Sequence, residues 1–329
     1  MLKRPYIEPM PLAKRNKCQP MGLAISRMNS QQNLILARPC RTITRMGYEK
    51  ITVTPISGTM GAEISGADLS GKLDNSTFDE IHRAFLEYQL LVFHGQKLTT
   101  GQNVAFARRF GPLEAYPFVE GLVDQPEIFE IRKEPDEERN FGGAWHTDMS
   151  FDPTPPIATM LYAKSVPSRG GDTMLTNLYT AYEALSDTMK HMIGGLRAEY
   201  SAALRYRREG RAGLMKSTRF KIANVDRADD MRAEHPIVRT HPETGRKALY
   251  LSGSHTTRII GMTDAESAAL LDFLKRHVVE PDFTCRARYG VGTVAMWDNR
   301  CTQHRALNDY PGQQRVMHRL TIGGGDSPS

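Results

Sequence analysis

Hydrophobic and polar positions alternate with a period of two along several short segments of the chain, which is typical of β-strands. The clearest case is Arg315–Ile322, where His318 and Leu320 fall on one face and Arg315 and Arg319 fall on the other. Shorter apolar runs predict further strands at Ile51–Val53, Ala62–Ile64, Leu90–Phe93, Ala158–Val166 and Ala248–Leu251. The pattern therefore predicts a protein rich in short strands.

Four segments predict helices instead, at residues 77–88, Thr100–Phe110, Tyr179–Gly194 and 264–277. The first is expected to begin at Ser76 or Thr77, with Glu80 completing a capping box with Thr77, and the last at Thr263, with Glu266 in the same role. The helices separate the strands at irregular intervals, without βαβ alternation or a GxGxxG loop. This organisation argues against a nucleotide-binding sheet.

Two imidazoles and one carboxylate could form a metal site. His146 and Asp148 are two residues apart, so on a strand both side chains would point to one face. His304, which follows the strand-like run Gly292–Trp297, is the best placed third ligand. Two histidines and one carboxylate are typical of mononuclear non-haem Fe(II) sites that keep positions open for substrate and oxygen. Taken alone, a His-x-Asp spacing also arises by chance, and a packed or solvated histidine is the alternative.

Two arginines follow His304 on one face of the predicted strand Arg315–Ile322. If that face points inward, Arg315 and Arg319 repel each other and are costly to desolvate unless anions meet them there. The pair therefore indicates an anion site, with two surface arginines on an edge strand as the alternative. Upstream, Gly170-Gly171 allows a tight turn that would present the Thr173 hydroxyl inward, although an ordinary glycine turn explains the same pattern.

Four motifs, in their order and mutual distances, resemble the taurine dioxygenase family of Fe(II)/2-oxoglutarate-dependent oxygenases, which also includes phenoxyacetate and alkylsulfate oxygenases. The motifs are Trp145-His146-Thr147-Asp148, Gly170-Gly171-Asp172-Thr173, Trp297-Asp298-Asn299-Arg300 with Thr302-Gln303-His304, and Arg315 to Arg319. The resemblance extends from about Tyr48 to Asp326. It implies a mainly β protein with flanking helices, folded as a double-stranded β-helix of the jelly-roll, cupin-like type.

The same resemblance implies roles for the motif residues. Iron would be held by His146, Asp148 and His304, and the co-substrate 2-oxoglutarate would be anchored by Thr173 and Arg315. The implied enzyme uses Fe(II), 2-oxoglutarate and O2 to hydroxylate a small anionic organic substrate, and it releases succinate and CO2. The alternative is a non-catalytic jelly roll that binds a metal and senses 2-oxoglutarate or an organic anion.

The substrate pocket is less well defined by the motifs. The family's substrate-anion arginine falls on Arg319, and taurine-specific members have a histidine at Tyr116 and an asparagine at Gly142. These departures argue against taurine. We expect Tyr116, Tyr206 and His255 to form a pocket for a larger or partly aromatic anion of the sulfonate, alkylsulfate or aryloxyalkanoate type. Trp297 is expected to wall the adjoining 2-oxoglutarate pocket.

Composition agrees with a large enzyme that is not embedded in a membrane. A chain of 329 residues with 40% hydrophobic content can bury a sizeable core. No apolar run approaches the roughly 18 residues needed to cross a bilayer. The four cysteines show no CxxC spacing, which fits reduced thiols and a reducing compartment. We therefore expect a cytoplasmic protein, and we expect it to form a homo-oligomer.

The net charge of +6 is concentrated in one segment. Residues 1–46 carry nine Lys or Arg and a single Glu, so the remainder of the chain is slightly acidic. We interpret 1–46 as a disordered or misassigned leader before one dioxygenase domain at 47–329, with organelle targeting as the second interpretation. A nucleic-acid arm ranks third, because the leader lacks regular aromatic interleaving. A basic segment at Arg205–Lys221 is a solvated loop or, alternatively, a lid that attracts anions.

Overall fold

Short strands make up most of the regular structure in the computed structural model, which describes residues 47–206 and 227–329. The predicted leader and most of the predicted basic loop lie outside the described residues. The strands are β1 (Thr52–Pro55), β2 (Ala62–Ser65), β3 (Leu90–Phe93), β4 (Leu113–Glu114), β5 (Phe129–Lys133), β6 (Ala158–Ser165), β7 (Thr173–Asn177), β8 (Arg197–Ser201), β9 (Arg232–Pro236), β10 (Val238–Thr240), β11 (Lys247–Leu249), β12 (Thr256–Ile259), β13 (Thr284–Ala287), β14 (Val294–Asp298), β15 (Thr302–Ala306) and β16 (Arg315–Ile322). The helices are α1 (Asn75–Tyr88), α2 (Thr100–Ala107), α3 (Leu178–Glu183), α4 (Asp187–Ile193), α5 (Ala203–Tyr206) and α6 (Asp264–His277), followed by a 3-10 turn at Pro281–Phe283.

Two of the sheets face each other. The large sheet has the order β1-β2-β3-β14-β6-β16-β4, with β5 also paired to β16, and a three-stranded sheet has the order β13-β7-β15. Leu161 of β6 and Met317 of β16 belong to the same buried cluster as Leu175 of β7, so the two sheets share one core. This arrangement is the double-stranded β-helix that the resemblance implies for a mainly β protein, and the prediction of the fold class is confirmed.

Strand β6 shows how the sequence pattern produces the layers. Met160 and Tyr162 pack outward in a second cluster that also contains Phe85 of α1 and Phe106 of α2. Leu161, between them in sequence, points to the space between the sheets. Successive side chains of a strand point to opposite faces, so one strand serves both cores. No helix in the described ranges is both long and apolar enough to cross a bilayer.

Strand β16 has the predicted bounds, and α6 begins at Thr263 with the predicted Thr263–Glu266 capping box. The predicted start of α1 is wrong. Asp74 is the N-cap, and its carboxylate accepts from the backbone N–H of Thr77 at 2.7 Å. Glu80 does not close a capping box, because its carboxylate accepts backbone N–H groups from the segment 49–51 instead.

The predicted single helix at Tyr179–Gly194 is also wrong. The chain forms α3 and α4, separated by a short break. Ser186 caps α4 by accepting from the N–H of Met189 at 3.2 Å, and its extended backbone cannot continue α3. A serine that can bond to the backbone ahead of it competes with an unbroken helix, which the amphipathic pattern does not reveal.

Candidate metal centre and its pocket

Three side chains with metal-binding atoms meet between the two facing sheets. Candidate ligand atoms of His146, Asp148 and His304 all lie within 4.8 Å of one another, and all three residues are buried. The Nε2 atom of His146 lies 3.5 Å from Asp148 Oδ1, and the Nε2 atom of His304 lies 3.7 Å from Asp148 Oδ2. The structure therefore brings the predicted triad together in an arrangement that could hold one metal ion.

The backbone places the two histidines by a direct pairing. His304 lies in β15, whereas His146 lies outside the strands and forms a single bridge with it. The N–H of His304 donates to the carbonyl of His146 at 2.8 Å, and the reciprocal bond measures 3.0 Å. The expectation that His146 and Asp148 share the face of one strand is therefore wrong. Thr147 does point away from the triad, since its hydroxyl donates to the carbonyl of Thr302 at 3.1 Å.

One hydrogen bond decides which nitrogen of His146 is available. Its Nδ1 lies 2.8 Å from the carbonyl oxygen of Ala144. A carbonyl can only accept, so Nδ1 carries the proton and donates. The lone pair of the neutral ring then resides on Nε2, the atom that faces Asp148. Such a contact at the far nitrogen is the usual way in which proteins orient a metal-binding imidazole.

The Asp148 carboxylate is held from two further sides. The Thr159 hydroxyl donates to Oδ2 at 2.7 Å, and Nη2 of Arg319 lies 3.0 Å from Oδ1. Burial by itself raises the pKa of Asp148, but the positive charge of Arg319 and the contacts with the imidazoles outweigh it and hold that pKa well below its usual range. The carboxylate is thus ionised, as a metal ligand must be.

A cavity opens beside the triad and contains the predicted co-substrate residues. Its lining includes Thr173, Trp297 and Arg315 together with the two histidines of the triad. The Nε and Nη2 atoms of Arg315 are buried and have no hydrogen-bond partner among the described residues. Unpaired buried guanidinium donors are costly. A carboxylate that entered the cavity would satisfy them, so the donor set fits an anionic ligand.

The turn before β7 brings the chain close to this arginine. Gly171 has a φ of +72°, and a Cβ there would lie 3.2 Å from Cδ of Arg315. The predicted need for glycine at this turn is therefore real. Thr173 points toward the cavity as predicted, and its Oγ1 accepts a hydrogen bond from the Tyr289 hydroxyl at 3.0 Å.

Arg319 shares the inward face of β16 with Arg315 and also lines the cavity, but it already has an anionic neighbour. The contact with Asp148 is an ion pair without an aligned hydrogen bond, so the Nε and Nη2 donors of Arg319 are unused. Its guanidinium carbon lies 4.8 Å from the centroid of the Tyr116 ring. The Tyr116 hydroxyl in turn bonds to the hydroxyl of Tyr206.

The three predicted pocket residues lie next to the cavity rather than in its lining. Tyr116 adjoins Arg319, and Tyr206 contacts Tyr116 through the bond between their hydroxyls. The ring centroid of His255 lies 6.3 Å from that of His146, and its Nδ1 lies 3.0 Å from the Ser150 hydroxyl. The structure thus places Tyr116 and His255 beside residues that line the cavity, and Tyr206 behind Tyr116.

A second buried cluster has the residue types of a metal site, but the oxygens of its carboxylate are already hydrogen-bonded. His241, Asp298 and Cys301 also have candidate ligand atoms within 4.8 Å of one another. Both carboxylate oxygens of Asp298 already accept hydrogen bonds, from Arg300 at 2.7 and 2.9 Å and from His241 at 3.1 Å. Glu243 accepts a further bond from Arg300 at 2.6 Å. The cluster is therefore a complete ion-pair network.

Sequence reasoning missed three residues around the site. Thr159 bonds to Asp148, Asn299 bonds to Thr159, and Tyr289 bonds to Thr173. Thr159 could have been noticed, because it is a polar residue at an inward position of a strand whose inward neighbour is Leu161. Tyr289 lies after β13 in a segment without a strand pattern, so no sequence signal pointed to it.

Comparison with known proteins agrees with this geometry. Residues 52–321 match the Taurine catabolism dioxygenase TauD, TfdA family. The chain is 35% identical to an alkylsulfatase of Acinetobacter baylyi over 277 residues, which covers 84% of this chain and 86% of that protein. It is 32% identical to the alpha-ketoglutarate-dependent 2,4-dichlorophenoxyacetate dioxygenase of Cupriavidus pinatubonensis, over 82% of this chain and 97% of that protein.

A solved structure shows the same likeness. A taurine dioxygenase from Burkholderia xenovorans superposes with a TM-score of 0.71 at 35% sequence identity, covering 85% of this chain and 91% of that one. Since the matched 2,4-dichlorophenoxyacetate and taurine enzymes are dioxygenases and the triad lies beside guanidinium donors that have no partner among the described residues, the non-catalytic alternative is not supported. The chain belongs to the TauD, TfdA family and is a 2-oxoglutarate-dependent dioxygenase that requires Fe(II) and O2.

Proposed function

We propose that this dioxygenase binds Fe(II) through Nε2 of His146, a carboxylate oxygen of Asp148 and Nε2 of His304, and that residues 47–329 form its one catalytic domain. The observation that carries the proposal is the convergence of these three buried donors beside a cavity that contains an unpaired arginine. Two imidazoles and one carboxylate would leave positions open on the metal for a chelating co-substrate and oxygen.

We propose that Arg315 and Thr173 anchor the distal carboxylate of 2-oxoglutarate. The unused donors of Arg315 can form a bidentate, charge-assisted pair with it. The Tyr289 hydroxyl donates to Thr173 Oγ1, so the Thr173 hydroxyl proton is left available to a ligand in the cavity. The Trp297 indole, with its ring centroid 4.5 Å from that of His304, forms one wall of the cavity.

When bound, the iron supplies the coupling of O2 reduction to decarboxylation of 2-oxoglutarate, which yields succinate and CO2 and transfers one oxygen atom to a substrate carbon. The protein orients the two substrates and excludes competing reactions. Arg319 performs two parts of this task, because its charge keeps Asp148 ionised and the residue also lines the cavity.

We propose that the primary substrate is a small organic anion of the sulfonate, alkylsulfate or aryloxyalkanoate type, held by Arg319 and bordered by Tyr116, Tyr206 and His255. The support is the position of Arg319 in the cavity lining, with buried donors that have no hydrogen-bond partner among the described residues, and the names of the relatives, an alkylsulfatase and a 2,4-dichlorophenoxyacetate dioxygenase. Hydroxylation of a carbon that bears such a group gives an unstable adduct, which collapses to an aldehyde or ketone and releases the group.

The test is a succinate assay with Fe(II), 2-oxoglutarate and air, run across panels of sulfonates, alkylsulfates and aryloxyalkanoates. One panel should raise succinate formation above the level seen without substrate, with an equal yield of sulfite, sulfate or phenol. The His304→Ala variant serves as the control without turnover. If only neutral compounds stimulate the reaction, the assignment of an anionic substrate is wrong.

We also propose that the enzyme works in the cytoplasm as a homo-oligomer and binds small molecules rather than nucleic acid. The buried thiols of Cys285 and Cys301 are free and suit a reducing compartment, and the net positive charge of the chain comes from residues 1–46, since the remainder is slightly acidic. Light scattering of the purified full chain measures the oligomeric state, and a nucleic-acid shift assay tests the second point.

A further inference from the structure

Thr159 lies at an unusual place for a threonine. It is fully buried in β6, the strand between β14 and β16 in the large sheet, with Trp297 and Thr321 as its register partners. Its side chain shares the inward face of the strand with Leu161, which lines the cavity. A hydroxyl at such a position is costly unless it is hydrogen-bonded. Thr159 uses its hydroxyl to contact the triad.

The hydrogen bonds around Thr159 have a defined direction. An ionised carboxylate can only accept, so the single hydroxyl proton of Thr159 goes to Oδ2 of Asp148, at 2.7 Å. The Thr159 oxygen must then accept from its other neighbour, the side-chain amide of Asn299 at 3.0 Å. This requirement fixes the orientation of the amide, with Nδ2 toward Thr159. Each hydrogen bond in the series thus has a defined donor, with Asn299 donating to Thr159 and Thr159 donating to Asp148.

Asn299 is itself held rigidly. It is buried in the turn between β14 and β15, and its backbone N–H donates to the carbonyl of Ile157 at 2.9 Å. The adjacent residues Asp298 and Arg300 form the complete ion-pair network described above. The network and the backbone bond to Ile157 therefore hold the turn that carries Asn299, and the Asn299 amide donates from this turn to Thr159.

We propose that Thr159, oriented by Asn299, is a positioning residue for the metal-binding carboxylate of Asp148. By occupying a lone pair of Oδ2, the hydroxyl holds the carboxylate so that it offers the metal one oxygen rather than two, which keeps a further coordination position available. This inference rests on the proposed metal ligation by Asp148. Partners of this kind typically change metal affinity by about 10- to 100-fold when they are removed.

Metal affinity rather than turnover tests the proposal. Mn(II) binding to the full chain is measured without co-substrate, from the electron paramagnetic resonance signal of free Mn(II), for the wild type and for Thr159→Val, Thr159→Ser and Thr176→Val. Thr176 is the matched control, because it is equally buried and its hydroxyl donates to the carbonyl of Val278, outside the triad. The visible absorption of the Co(II)-loaded proteins reports the coordination number.

We expect Thr159→Val to weaken Mn(II) binding by about tenfold or more and to change the Co(II) spectrum. Thr159→Ser keeps the hydroxyl and should restore both properties, and Thr176→Val should resemble the wild type in both. An affinity of Thr159→Val equal to that of the wild type, or an equal loss in Thr176→Val or Thr159→Ser, overturns the proposal. If the wild type itself does not bind Mn(II), the proposed ligation fails instead, so the two failures are distinguishable.

The Asn299→Asp variant tests independently whether Asn299 orients Thr159. A carboxylate at this position would accept the Thr159 proton and draw it away from Asp148, so Mn(II) binding should weaken in the same direction as in Thr159→Val. If the two effects are independent, the double variant with Thr159→Val should show their product. If Asn299 acts through Thr159, the double variant should be no weaker than the weaker single variant, and multiplicative losses would reject that order of action.

Discussion

Two buried clusters in this protein each contain a carboxylate, histidine and arginine, but they differ in how fully the polar atoms are hydrogen-bonded. Around Asp298, an arginine and a histidine supply aligned donors to both carboxylate oxygens. Around Asp148, two imidazole nitrogens lie at 3.5 and 3.7 Å, and the arginine forms an ion pair without an aligned hydrogen bond. Burial opposes ionisation in both carboxyl groups, and nearby positive charges lower both pKa values. Residue types alone do not distinguish a structural network from a metal site, whereas unused donor and acceptor capacity does.

Three buried arginines of the two clusters and the cavity show the same contrast. Arg300 is saturated by Asp298 and Glu243. Arg315 has donors without a partner among the described residues. Arg319 has an ion pair with Asp148 but no aligned hydrogen bond from Nε or Nη2. An arginine whose partners are internal stabilises the fold, whereas one with unpaired donors can bind a ligand. The predicted effects of substitution should therefore separate into losses of stability in one cluster and losses of binding in the other.

The largest effect should come from removing a ligand of the triad. We expect His146→Ala, Asp148→Ala and His304→Ala each to abolish turnover and to weaken Mn(II) binding by more than about 100-fold, since even outer partners of a metal site cost 10- to 100-fold. His241→Ala makes the same chemical change in the complete cluster and should leave Mn(II) binding unaltered. Normal turnover in His304→Ala would mean that the third ligand lies elsewhere.

The next effect concerns stability. Asp298→Ala leaves Arg300 buried without its main partner and should lower the free energy of unfolding by about 3–5 kcal/mol, measured by urea denaturation of the metal-free protein. Asp148→Ala should lower it less, because the removed carboxylate was itself costly to bury and Arg319 keeps its contact with Tyr116. Equal losses at the two positions would contradict the comparison.

The pH dependence of Asp298 follows from its lowered pKa. Burial raises this pKa, and the charge and hydrogen bonds of Arg300 more than reverse the effect, so the folded-state pKa is below the unfolded value. The stability that Asp298 contributes is present above the unfolded pKa of about 4 and is lost as the pH falls through the folded value. The advantage of the wild type over Asp298→Asn in urea should therefore persist at pH 7 and shrink at acidic pH below about 4.

A smaller effect is expected at the co-substrate arginine. Arg315→Lys keeps the charge but loses the fork that pairs with a carboxylate. We expect the KM for 2-oxoglutarate to rise by about two decades, while Mn(II) binding stays near that of the wild type. Arg300→Lys is the matched substitution and should lower the urea midpoint instead. An unchanged dependence on 2-oxoglutarate would remove Arg315 from the site.

The smallest effect should be seen at Arg319. Arg319→Ala is expected to weaken the anionic substrate by about one to two decades, with a smaller change for 2-oxoglutarate, and to raise succinate formation that is not coupled to product. Its ion pair with Asp148 places the loss toward the lower end of this range. Equal losses for both ligands would indicate a shared electrostatic role.

The sequence by itself determined the local parts of this protein. Alternation predicted β16 with its observed bounds, a capping box predicted the start of α6, and four motifs identified the family. These signals are local because side-chain period and capping depend on residues only a few positions apart. Local signals failed where a distant segment competed for a side chain, as when Glu80 bonded to residues 49–51.

Only the tertiary structure decided which buried polar groups have hydrogen-bond partners. The bridge between His146 and His304, the bond from Thr159 to Asp148 and the ion pair of Arg319 with Asp148 all join residues distant in sequence. The same is true of the network that saturates Asp298 through His241. Whether a buried donor or acceptor has a partner depends on the packing of separate strands, because desolvation removes water as the substitute. For that physical reason, the sequence could nominate His146, Asp148 and His304 as candidate ligands, whereas the hydrogen bonds around Asp148 and the saturation of Asp298 came only from the tertiary structure.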